Sequence, residues 1–157
     1  MRNIKHIVIH CSATREGRDY TIDQIRDWHL DRGWRDIGYH AIIYRNGEVH
    51  QGRKDEEIGA GVKGNNKYSI HICYVGGVES EKINGKWIPK DTRTQEQKEA
   101  LIDLCHYYKN LHPQANILGH KDFMGVTKSC PCFDAITEYK EISNKFDHID
   151  FNNYDED

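Results

Sequence analysis

The chain's 157 residues are 37% hydrophobic and 30% charged, which fits one globular domain with a core of its own and excludes a disordered chain. A net charge of -3 at pH 7 supplies no basic face, so nucleic acid is not an expected partner. Five cysteines, an odd number, read as free thiols plus one metal ligand rather than as a disulfide framework.

After Met1-Arg2 the apolar run Ile7-Val8-Ile9 is too short for a signal peptide. No stretch nears the roughly 18 apolar residues of a membrane span. The expectation is a monomer made in the cytoplasm without a signal peptide, reaching any other place by another route.

Lys5 to His10 reads as a buried strand, apolar and β-branched. Thr21 and Gln24 have capping-box spacing, and Ile22, Ile25, Trp28 and His29 then share one helical face up to a stop at Gly33. Tyr39 to Tyr44 and Glu48 to Gln51 flank Arg45-Asn46-Gly47, a hairpin signal. Ser69 to Val75 is a further strand, closed by Gly76-Gly77. Thr94 and Gln97 repeat the capping box, with Leu101, Leu104, Cys105, Tyr108 and Leu111 on one face and Pro113 as the stop. Asn116 to Gly119 is a short strand leading to His120. Asp134 caps a last helix carrying Ile136, Tyr139, Ile142 and Phe146. This alternation predicts a single α/β domain over residues 1–146, with a mixed central β-sheet flanked by helices. Residues 147–157 are expected to form an acidic, frayed tail.

His10 ends the first strand, His120 follows the last, and Cys130 comes ten residues later in Lys128-Ser129-Cys130-Pro131-Cys132. Strand ends beside loops are where α/β sheets place their sites. Two imidazoles and a thiolate make a three-ligand set for zinc with an open fourth position, and such sites hydrolyse. The spacing alone leaves open a His10 that only caps a strand and a Cys130 that is only a buried thiol.

His10-Cys11-Ser12-Ala13-Thr14 resembles the opening motif of the type 2 N-acetylmuramoyl-L-alanine amidases, a family that includes small phage lysins and animal peptidoglycan recognition proteins. Trp28-His29, Gly33-Trp34 and Asp36-Ile37-Gly38-Tyr39-His40 resemble its second block. Ser69-Ile70 with Val75-Gly76-Gly77 resembles the third, and Gly119-His120-Lys121-Asp122 with Lys128-Ser129-Cys130-Pro131 the fourth. The resemblance implies a zinc (Zn2+) amidase with His10, His120 and Cys130 as metal ligands and Tyr39 and Lys128 as catalytic residues beside them. It implies that a zinc-bound water cuts the amide between the lactyl group of N-acetylmuramic acid and L-alanine, with peptidoglycan and its muropeptides as partners. A non-catalytic recognition module on the same fold is the alternative.

His40 and Lys63 are the expected substrate contacts, although in a regular strand His40 would point away from Tyr39. Asp122 reads either as a partner for a metal-bound imidazole or as a turn residue. Many relatives carry a histidine in the segment that here reads Gly59-Ala60-Gly61-Val62-Lys63-Gly64, with Gly61 in its place. Lys63, Asn65 or His71 would have to compensate.

Overall fold

The computed structural model describes residues 2–147, so the predicted tail, apart from Asp147, lies outside the described residues. Strands β1 (His6–Cys11), β3 (Ala41–Ile43), β4 (Val49–Gln51), β5 (Ser69–Tyr74) and β7 (Asn116–Gly119) form a five-stranded sheet ordered β4-β3-β5-β1-β7. The β1, β3, β5 and β7 strands run parallel, while β4 pairs antiparallel with β3. A small parallel pair joins β2 (Thr14–Arg15) to β6 (Gly77–Val78). Helices α1 (Ile22–Asp31) and α2 (Gln95–Leu111) flank the sheet, and α3 (Ala135–Glu138) and α4 (Lys140–Ser143) follow β7. The predicted mixed α/β domain is the one that forms.

Side chains of β1 and β5 alternate between the two sheet faces. Ile7, Ile9 and Cys11 join Ile70, Ile72 and Tyr74 in a core that Leu101, Cys105 and Tyr108 of α2 cover. Each fully buried isoleucine there contributes about 1.5–3 kcal/mol. By the same alternation, Val8 and His10 of β1 and His71 and Cys73 of β5 project from the opposite face. Both predicted capping boxes form. Thr21 Oγ1 accepts from Gln24 N at 3.2 Å and Thr94 Oγ1 accepts from Gln97 N at 3.1 Å.

The last helix departs from expectation. It breaks at Tyr139, where φ is -107° and the ring is buried against Phe133. Ile136, placed on its apolar face, is exposed. Tyr39 and His40 lie before β3 rather than within it, although Arg53 N and Gly52 N still bond to their carbonyls at 2.9 and 2.8 Å.

Candidate metal centre

Three elements deliver three donors to one point. His10 leaves the end of β1 on the face turned away from α2. His120 opens a 3-10 turn directly after β7. Cys130 sits on the following loop, which several contacts fasten to the strand ends. Lys121 N donates to Cys130 O at 2.9 Å, Cys11 N donates to Cys130 Sγ at 3.1 Å, and Tyr74 Oη donates to Pro131 O at 2.6 Å. Gly119 is needed for this approach, because a Cβ there would lie 2.6 Å from Pro131 Cδ.

One donor atom from each of His10, His120 and Cys130 lies within 4.8 Å of the others. Bonds of about 2.0–2.3 Å let a single zinc gather donors so placed with little adjustment. Burial, reinforced by His71, His120 and Lys128, holds His10 well below its ordinary pKa of 6.5, and burial with Lys128 lowers His120. Both rings are therefore neutral at pH 7, the form that coordinates metal. The donor set fits the ion that the sequence implied.

An open cleft of about 700 Å³ adjoins this point, lined by Arg32, Trp34, Tyr39, Lys63, His120 and Lys128 among others. Its lining holds three cations and no carboxylate. The Tyr39 ring packs 5.1 Å from His10 and 5.3 Å from His29. Burial pushes its phenol well above 10, so the hydroxyl keeps its proton. Tyr39, Lys63 and Lys128 all line this cleft.

His40 does not. Its side chain is 0% exposed, with Nε2 at 2.8 Å from Glu57 O and Nδ1 accepting from His71 N at 3.0 Å. The structure gives it no face on the cleft. Asp122 takes the turn role, accepting from Gly119 N at 2.7 Å. His29 is a packing residue whose Nδ1 accepts from Gly38 N at 2.9 Å, and burial lowers it to about 4.

Two further residues are placed by the structure. Trp34 lines the cleft. His71 fills the space beside Gly61, where an added Cβ would collide with its ring. Of the three candidates for compensation, His71 is the one whose ring occupies that volume. The available signal was a histidine between Ile70 and Ile72 in an otherwise apolar strand.

Residues 1–133 match the model of the N-acetylmuramoyl-L-alanine amidases. The chain belongs to that family. It hydrolyses the amide between the lactyl group of N-acetylmuramic acid and the L-alanine of the peptidoglycan stem. The endolysin of Enterobacteria phage K11 is 40% identical over 126 residues, covering 80% of this chain and 79% of that one. The endolysin of Escherichia phage T7 is 36% identical over 129 residues, covering 82% and 80%. Among solved structures, the N-acetylmuramoyl-L-alanine amidase LysC from Clostridium intestinale URNW superposes with a TM-score of 0.71 at 27% identity, over 93% of this chain and 87% of that one.

Proposed function

We propose that this amidase works around one zinc ion held by His10, His120 and Cys130. The observation that carries this is the convergence of those donors within 4.8 Å beside the cation-lined cleft. When bound, zinc supplies a Lewis acid that acidifies water and polarises a carbonyl oxygen.

The chain's own residues do the rest. Arg32 and Lys63 bind the carboxylates of the stem peptide, and the Trp34 ring offers the sugar a flat wall. Tyr39 Oη, which keeps its proton, donates a hydrogen bond to the lactyl carbonyl oxygen as negative charge grows there. Lys128, which also lines the cleft, offsets that charge with its ammonium group. Such donors act because they are oriented before the reaction begins. In balance, water adds to the carbonyl carbon, the C–N bond breaks, a carboxylate forms on the lactyl side and the amine of L-alanine leaves.

The cell wall is the place of action for such chemistry, and among the described residues no helix is long and apolar enough to cross a membrane. Purified protein should hold close to one zinc per chain. Incubated with purified peptidoglycan, it should release peptides that begin with free L-alanine, identified by mass. Full activity in protein lacking any transition metal would overturn the reading.

A further inference from the structure

His10 coordinates metal through one ring nitrogen only if the proton sits on the other. The residues behind it fix that choice, beginning at a backbone loop. Gly61 N and Val62 N both donate to Asn66 Oδ1, each at 2.9 Å. Backbone amides can only donate, so the Asn66 atom facing them is its carbonyl oxygen by necessity rather than by convention. His71 Nε2 lies 2.9 Å from the same oxygen and must therefore carry a hydrogen. A neutral imidazole has one N–H, which leaves His71 Nδ1 with a lone pair. That atom is 2.8 Å from His10 Nε2, so His10 donates. The lone pair of His10 is thereby left on Nδ1, the nitrogen 3.9 Å from Cys130 Sγ.

We propose that Asn66 and His71 are positioning residues that lock His10 in its Nε2–H tautomer and present Nδ1 to the metal. This rests on the zinc reading above for its consequence, though not for its geometry.

The arrangement is built in, not incidental. Arg2 Nη2 donates to Asn66 O and Ser69 O, both at 3.0 Å, anchoring the relay's outer end. His40 Nδ1 accepts a hydrogen bond from His71 N, and the two rings stack at 5.8 Å with an interplanar angle of 9°. This gives buried His40 a role, since it holds His71 rather than substrate. Gly61 is the opening that admits the His71 ring. Metal-bound histidines usually lean on a carboxylate or a backbone carbonyl. Here the partner is a neutral imidazole backed by an amide, which adds no negative charge next to the ion.

The test reads tautomer and metal affinity separately. In metal-free wild-type protein, ¹⁵N–¹H correlation of the imidazoles should find His10 as the Nε2–H form. In His71→Phe and Asn66→Leu that preference should be lost, and zinc affinity measured against a competing chelator should weaken about 10–100-fold, the usual cost of removing such a partner. Asn66→Asp keeps an acceptor oxygen and should retain both the tautomer and most of the affinity. An Nδ1–H tautomer in wild-type protein would overturn the relay whatever the variants do. Unchanged tautomer and affinity in folded His71→Phe would do the same. The zinc reading fails by a different result, undiminished zinc binding in His10→Ala.

Discussion

Cys132 Sγ lies 3.9 Å from Cys11 Sγ and donates to Gly77 O at 3.3 Å. The thiol two residues beyond Cys130 is thus turned toward the end of β1 and the start of β6. Its contact with Cys11, together with burial, raises its pKa far out of the working range, and the hydrogen bond with Cys130 helps push Cys11 up to about 12. Metals bind thiolates, not thiols. Cys130→Ser should therefore lose zinc during purification and lose activity. Cys132→Ser should keep most of both. Elemental analysis of the two purified proteins decides it, and the reverse pattern would move the ligand to Cys132.

Thr94 joins two parts of the molecule. Its hydroxyl caps α2 by accepting from Gln97 N and also donates to Arg45 O at 2.7 Å, in the turn between β3 and β4. Thr94→Ala removes both bonds and should cost about 1–2 kcal/mol, at the upper end for a helix cap. A urea midpoint lowered without a change in slope would show it. A midpoint equal to wild type would mean that water replaces both bonds at no cost.

Capping and burial are local, which is why both capping boxes, the Asn-Gly turn and the buried strands were legible in the sequence. Ile7-Val8-Ile9 is apolar without alternation because a central parallel strand is covered on both faces. The two-residue strands β2 and β6 leave no such trace, since their pairing is set by where β1 and β5 end. The three proposed ligands stood out because each stands at a strand end or in a distinctive loop, but it was the family resemblance that made them one set. The pairing of His10 with His71 could not, because it depends on β1–β5 register across 61 positions. The surroundings of His40 were hidden for a related reason. Strand alternation already points it away from Tyr39, and the packing of β5 and residues 57–61 around its ring is what encloses it.

Arg93 predicts how the fold responds to acid. Its side chain is 2% exposed, bonds Glu138 through Nη1 and Nη2 at 2.6 and 2.9 Å and Asp91 through Nε and Nη2 at 2.9 Å, and lies 3.4 Å above the Phe133 ring. Hydrogen bonds from Arg93 hold Glu138 below its ordinary 4.5; burial pushes Asp91 up, but the same guanidinium outweighs it and holds Asp91 below 3.8. Carboxylates depressed in the folded state stabilise it above their unfolded pKa and stop doing so as pH falls through the folded value. Stability should thus hold from neutral pH to about the ordinary carboxylate range and decline below it. Arg93→Met should cost on the order of 2 kcal/mol at neutral pH, from lost charge-assisted bonds. It should also flatten the acid decline, which urea titrations at several pH values would measure. An acid decline as steep in the variant as in wild type would assign it to other groups.

Tyr39 and Lys128 are tested by what their loss spares. Phe at position 39 keeps the ring contacts with His10 and His29 and removes only the hydroxyl. Lys128 is exposed, and its charge disfavours further positive charge on His10 and His120, so Lys128→Ala should not weaken metal binding. Both variants should fold and hold zinc. If the two groups act on charge that develops only during the reaction, each should lose about 10²–10³ in turnover, the scale for a preorganised donor. Because the interaction is weak in the bound ground state, kcat should fall while KM changes little. An uncleaved muropeptide should bind both variants as it binds wild type. Loss of Arg32 or Lys63 should do the opposite, raising KM with kcat largely kept, since those cations grip substrate equally before and during the reaction. A Tyr39→Phe enzyme with near-normal turnover would leave the donor cluster standing and remove the phenol from the mechanism.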